Sequence, residues 1–230
     1  MIKTVLWDVD GTLLNFHAAE RVAIRKCFET FALGPCSDEM LDRYSRLNAL
    51  YWQRLERGEI TKPELLVRRF EEFFENEGVI CGDVAGFNAD YQVRLGDTVC
   101  FNDESYELVK SLKGRVRQYA VTNGTKVAQD RKLERSGLDQ LFDGIFISDV
   151  LGWEKPTVEF FDHVFARIEP CEKSEMLIVG DSLTSDIKGG NNAGIPSVWY
   201  NPSGAPNDKG VTVDYEIRDL REILEILDKE

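Results

Sequence analysis

Two carboxylates two residues apart, Asp8 and Asp10, close the short apolar run Val5-Leu6-Trp7 and lead directly into Gly11-Thr12. An isolated ionised carboxylate is too costly to desolvate for a buried strand to end in two of them uncompensated. The pair needs a cation, a shared proton or open water. A hard divalent ion in an oxygen-only shell suits the first option, and a solvated acidic turn would be the last. Three further groups could join them: Thr122-Asn123-Gly124, Lys155-Pro156, and Gly180-Asp181 with Asp186. Each alone has an ordinary use, as a capped turn, a lysine before a helix, or carboxylates at a helix start. Brought together they would supply four carboxylates, a lysine, a hydroxyl and an amide, a set able to hold a metal ion beside an anionic substrate.

They can meet only if one architecture carries them all to the same place. Residues 4–7 read as a buried parallel strand. Residues 18–33 then place Ala23, Cys27, Phe28 and Phe31 on one helical face, with Gly34-Pro35 as the stop. Ser37 reads as the N-cap of a second helix carrying Leu41, Tyr44, Tyr51 and Leu55. Thr61-Lys62-Pro63-Glu64 is a capping box opening a third through Leu66, Phe70, Phe73 and Phe74. A fourth, over 83–95, shows Val84, Phe87, Tyr91 and Leu95 at helical spacing. Four amphipathic helices without strands suggest a small bundle with an aromatic core.

From about residue 97 helices and strands alternate: helix 103–113, strand 116–122, helix 125–135, strand 144–148, helix 156–167, strand 176–180, helix 184–193, strand 196–200 and helix 219–228. Such alternation implies a parallel sheet with helices on both faces. The expected fold is therefore α/β, a Rossmann-like parallel sheet core over 1–14 and 97–230 with an inserted all-helical domain over 15–96. In such sheets ligands bind at the C-terminal strand ends near the topological switch point. All four motifs fall at those ends.

The chain of 230 residues has 41 acidic and 28 basic side chains, a net charge of −13. That balance disfavours a nucleic acid polymer or an anionic membrane as partner. No apolar run reaches spanning length. The five cysteines (27, 36, 81, 100 and 171) are scattered without a C-x-x-C, which suggests free thiols in a cytoplasmic setting. Two histidines, His17 and His163, exclude an imidazole-rich metal site.

Asp8-Val9-Asp10-Gly11-Thr12, Thr122-Asn123, Lys155-Pro156 and Gly180-Asp181-x4-Asp186 resemble, in order and spacing, the four motifs of the haloacid dehalogenase superfamily. The resemblance covers the whole chain, and the block 15–96 resembles the superfamily's helical cap inserted after the first motif. About thirty residues separate Thr122 from Lys155, too few for a second large cap. The resemblance implies phosphoryl transfer. Asp8 would be the nucleophile forming an aspartyl-phosphate. Asp10 would protonate the leaving oxygen and then activate water, oriented by Thr12. Lys155 would complete the catalytic set. The phosphate would be held by Asp8, Val9, Asp10, Thr122, Asn123, Gly124 and Lys155. Mg²⁺ would sit on Asp8, the Asp10 backbone carbonyl, Asp181 and Asp186. Haloacid dehalogenases proper need no metal and lack the acid at the position of Asp10, so its presence favours a phosphatase; a phosphomutase would use the same residues.

For the substrate, Leu55-Glu56-Arg57-Gly58-Glu59-Ile60-Thr61, Arg69-Phe70-Glu71 and the segment from Leu133 to Leu138 resemble a pyrimidine 5′-nucleotidase subgroup. That implies a nucleoside monophosphate. A sugar phosphate or phosphoglycolate-like acid on the same machinery, and a catalytically idle binding protein, remain the alternatives. Asn48, Tyr51, Trp52 and Tyr91 are candidates to contact a base, and His17 to face the leaving group. Cys100-Phe101-Asn102-Asp103 stands where many relatives carry Pro-Gly. Nothing in the sequence fixes the oligomeric state.

Overall fold

The computed structural model describes residues 1–229. Its centre is a six-stranded parallel sheet in the order β3-β2-β1-β4-β5-β6. The strands are β1 (Thr4–Trp7), β2 (Arg117–Thr122), β3 (Gly144–Ile147), β4 (Met176–Gly180), β5 (Ser197–Tyr200) and β6 (Tyr215–Ile217). β1 pairs with β2 on one side and β4 on the other, so every side chain in it is buried. Alternation divides them between two cores. Val5 and Trp7 join the layer built on helices α5 (Ser105–Leu112) and α10 (Ile223–Lys229), whereas Leu6 packs with Phe160, Phe161 and Val164 of α8 (Val158–Phe165). The strand order reverses between β1 and β4, which places the ends of Asp8 and Asp181 at the switch point.

Between β1 and α5 run four helices: α1 (Phe16–Thr30), α2 (Asp38–Glu56), α3 (Lys62–Glu77) and α4 (Val84–Asp97). The caps of α2 and α3 are those the sequence signals, whereas Asn15 and Asp83, which cap α1 and α4, were not read from it. Ser37 accepts from Met40 N, and Thr61 and Glu64 form the reciprocal capping box. The helices bury one aromatic cluster in which the rings of Phe70, Phe74 and Phe87 meet at 4.9–6.2 Å between centroids. Beside it Arg69 is buried, donating to Asn48 and Asn88 and lying over the rings of Phe70 and Tyr91. The chain enters and leaves this block side by side. Leu14 bridges Phe101, Asn15 N donates to Cys100 O at 2.7 Å, and Asn102 N donates to Leu13 O at 3.0 Å.

The structure departs from the sequence reading in a few places. The first helix ends at Thr30, four residues ahead of Gly34, because Ala32 takes a left-handed φ of 50° and turns the chain early. Residues 148–151 form a short helix, α7 (Ser148–Leu151), instead of ending a strand. β6 was not expected: a three-residue edge strand with one buried side chain, Ile217, carries almost no periodic signal. The segment after Ser182 starts with one π-helical turn, Leu183–Ile187, and continues as α9 (Lys188–Ala193). All five cysteines are free. Among the described residues, no helix is long and apolar enough to cross a membrane.

Candidate active site

β1 delivers Asp8 at its C-terminal end, and the turn after it depends on Gly11. That residue has φ of 94°, and a Cβ there would lie 2.5 Å from an Asp181 carboxylate oxygen. Asn102 holds the turn from below, donating to the carbonyls of Gly11 and Thr12 at 2.9 Å each. Asp103, at the departure from Pro-Gly, adopts φ of 44°. Its carboxylate repays that conformation by accepting from Tyr200 Oη at 3.1 Å and Leu220 N at 2.9 Å.

β2, β4 and the loop before α8 bring the other motifs to the same place. Lys155 Nζ donates to Asp8 Oδ1 at 2.8 Å, Asp186 Oδ1 at 2.6 Å and the Val121 carbonyl at 2.7 Å. All three of its N–H groups are thereby committed, and the residue is 1% exposed. The Asn123 side chain fixes the Lys155 backbone at both ends, accepting from its N and donating to its carbonyl, each at 2.8 Å. This clamp was not anticipated from the sequence, where only the Asn123 backbone was expected to act. Asp186 Oδ2 accepts from Ser182 N at 3.1 Å. One oxygen from each of Asp8, Asp181 and Asp186 lies within 4.8 Å of the others.

Two assignments change. Thr12 does not orient Asp10: its hydroxyl donates to Asp8 Oδ2 at 2.8 Å and lies 3.3 Å from Asp181 Oδ1. The geometry of a turn sends the side chain of residue 12 back under the strand end, beside the first acid and not the second. Asp10 is instead gripped from α6 (Lys126–Ser136), by Gln129 Nε2 at 2.6 Å and by the Lys132 ammonium. Both partners are 1% exposed. Their i, i+3 spacing on a helix that follows Thr122-Asn123-Gly124 was the available signal. The Val9 side chain packs into the core, so a phosphate contact at this position would have to come from its backbone.

The remaining site residues, Asp8, Asp10, Thr122, Asn123, Gly124, Lys155, Asp181 and Asp186, surround a cavity of about 220 Å³. Phe16, Trp52 and Glu56 complete it from the helical block. Of the side chains considered for base contact, Trp52 alone is there. Asn48 is buried against Glu20 and Arg69, Tyr51 donates to Glu72 at 2.7 Å, and Tyr91 belongs to the aromatic core. His17 is exposed beside Glu20 and lines a neighbouring depression that also reaches Asp10 and Asp181.

The electrostatics of this cluster are unfavourable without a cation. Burial, then the Asp186 charge, pushes the Asp8 carboxyl up to about 7 against the pull of Lys155 and Thr12. Asp181 is pushed up as well, by its depth and by the charges of Asp8 and Asp186. Since its side chain opens to the cavity, the neighbouring charges are the weightier cause. Burial works against the Lys155 ammonium, but Asp186 and Asp8 together outweigh it and leave its pKa raised. One lysine cannot neutralise three carboxylates. A donor set made only of carboxylate oxygens, gathered at one point with a charge deficit, suits a hard divalent ion.

A family model of haloacid dehalogenase-like hydrolases matches residues 2–194. The HAD-hydrolase YfnB of Bacillus subtilis is 37% identical over 228 residues, covering 99% of this chain and 96% of its own. A crystal structure of YfnB, described as bound to magnesium and as revealing interdomain movement, matches with a TM-score of 0.93 over 99% of both chains. The pyrimidine 5′-nucleotidase PynA of Streptococcus pneumoniae is 36% identical over 228 residues, 99% of this chain and 95% of its own. The pyrimidine 5′-nucleotidase YjjG of Escherichia coli is 27% identical over 225 residues, 98% of this chain and 97% of its own. With the acids of β1 and β4 converging at the switch point of its sheet, and with matches of this length, the chain belongs to the haloacid dehalogenase-like hydrolases.

Proposed function

We propose that this hydrolase is a Mg²⁺-dependent phosphomonoesterase that works through an aspartyl-phosphate, with pyrimidine nucleoside 5′-monophosphates as substrates. The observation that carries the reading is the convergence of Asp8, Asp181 and Asp186 on one point, with Lys155 bonded to two of them. Asp8, Asp181, Asp186 and the Asp10 carbonyl would hold the ion. When bound, magnesium supplies the positive charge that lets a phosphate dianion approach a carboxylate.

Asp8 attacks phosphorus, its carboxylate aimed by Thr12 on one oxygen and Lys155 on the other. Because the Lys155 donors are committed, its first duty is to orient Asp8 and Asp186; it meets the phosphoryl oxygens by sharing those bonds as charge moves off Asp8. Asp10, steadied by Gln129 and Lys132, gives the leaving oxygen its proton and later takes one from the hydrolytic water. Thr122 and the backbone of Asn123 and Gly124, which line the cavity beside Lys155, would hold the phosphoryl oxygens. Helices α1–α4 over 15–96 act as a cap that excludes water and carries Phe16, Trp52 and Glu56 to the leaving group.

The two nucleotidases at 36% and 27% identity support the substrate, and Trp52 with Phe16 offers flat apolar surface suited to a base. The free cysteines fit a cytoplasmic enzyme. The test is inorganic phosphate release across nucleotide, sugar-phosphate and acid-phosphate panels, with and without Mg²⁺. Pyrimidine monophosphates should lead; a panel led by hexose phosphates would overturn the substrate, and silence throughout would overturn the enzyme reading.

A further inference from the structure

Glu56 is the last residue of α2 and lines the catalytic cavity beside Trp52. Its Oε2 is buried and has no hydrogen-bond partner. An acceptor left in that state costs free energy, and a ligand donor would recover it. Burial pushes the Glu56 carboxyl up, opposed by the Thr184 hydroxyl and the charges of Lys155, Lys188 and Arg57. Arg57, Lys188 and Lys209 line a neighbouring depression that Glu56 also borders, and none of the three lines the catalytic cavity. Lys155, the one basic residue on the cavity wall among the described residues, has no N–H to spare for a second anion. Arg69 lines only an adjoining recess of about 30 Å³, room for a single water-sized group, and is already bonded to Asn48 and Asn88.

Resting on the phosphatase reading above, we infer that Glu56 selects the leaving group by charge. It accepts a hydrogen bond from a neutral leaving group that carries an N–H or O–H donor, and it repels one that brings a second negative charge. Nucleoside monophosphates, whose only anion is the phosphate being cleaved, satisfy this rule. Phosphoglycolate-like acids and bisphosphates do not, because a like charge near a partly desolvated carboxylate is poorly screened.

The experiment compares uridine 5′-monophosphate with 2-phosphoglycolate in Mg²⁺, using p-nitrophenyl phosphate to report on the chemistry itself. E56Q keeps the shape and removes the charge. It should lower the kcat/KM ratio of nucleotide over acid at least tenfold, chiefly by gain on the acid, whereas E56D should hold the ratio within a few-fold of wild type. E56S carries the same expectation as E56Q should the latter not fold. An unmoved ratio with p-nitrophenyl phosphate still cleaved, or a wild-type preference for the acid, would overturn the selector and leave the phosphatase standing. No phosphate release by wild type from any of the three esters would overturn both.

Discussion

Lys62 Nζ, at the start of α3, lies 2.9 Å from Glu154 Oε1 and donates to Ser148 Oγ at 2.7 Å, so the helical block is tied to the loop that presents Lys155. The lysine is 8% exposed and the glutamate side chain 23%, which shields the pair from much solvent screening. The tie holds the helices over the cavity while steadying the residue next to Lys155. Lys62→Met should therefore raise KM several-fold and lower stability by about 1–2 kcal/mol, below the cost for a fully buried pair because Glu154 still reaches water. Steady-state kinetics with small-angle scattering would check it: a particle that opens supports a closing tie, and unchanged KM with unchanged dimensions would refute one.

In the proposed reaction Asp8 is both nucleophile and metal ligand, and its environment resists its charge. Asp8→Asn keeps the shape and removes one of three converging negative charges. Turnover should fall by at least about 10³-fold. The metal-free protein should melt higher than wild type at pH 8, since an uncompensated buried charge has gone. Phosphate release and thermal melting give the two readings. Retained activity would remove the nucleophile, and a lower melting temperature would show that the Asp8–Lys155 ion pair outweighs the repulsion among the three acids.

The sheet was legible because β1 and β4 are uninterrupted apolar runs and the strand-end acids have no structural excuse. The caps at Ser37 and Thr61 were legible because they act locally, through the backbone of their own turn. What escaped was long-range and chemically bland. Gln129 and Lys132 sit on a strongly polar helix, where a lysine ordinarily reaches water; only the tertiary fold turns their face onto Asp10, more than a hundred residues away. Thr12 was misassigned for a different reason: the family resemblance implied a contact with Asp10 that the turn directs to Asp8. Asn48, Tyr51 and Tyr91 looked like ligand groups, but Asn48 and Tyr51 are bonded to Glu20 and Glu72 and the Tyr91 ring packs in the aromatic cluster, and composition does not distinguish that from a binding wall.

Lys132 contacts Asp10 alone among carboxylates, so its loss should act on proton transfer more than on binding. Lys132→Met should lower kcat by about 10²-fold, within the usual range for general acid–base assistance, and move KM little. Lys132→Arg should recover part of the loss. A p-nitrophenyl leaving group needs little protonation, so the defect should shrink on p-nitrophenyl phosphate relative to a nucleotide. An equal defect on both esters would mean that Lys132 serves folding or phosphate binding instead.

The raised Asp8 pKa sets a pH window for the metal. An unfolded aspartate titrates near 3.9, and the folded carboxyl at about 7, so between those values the folded state binds the extra proton. The stability of the metal-free protein must then fall as pH rises from about 4 to 7, the reverse of a salt-bridged aspartate. Magnesium can bind Asp8 only after displacing that proton. Its affinity should climb about tenfold per pH unit below 7, more steeply if Asp181 also gives one up, and level off above. The Mg²⁺-induced rise in melting temperature should accordingly be larger at pH 8 than at pH 5.5. Titration calorimetry in two buffers of different ionisation heat counts the protons directly. Close to one proton released per ion at pH 6 is expected from Asp8; none at pH 6 would show that Asp8 is already ionised in the free enzyme and that Lys155 alone suffices to keep it so.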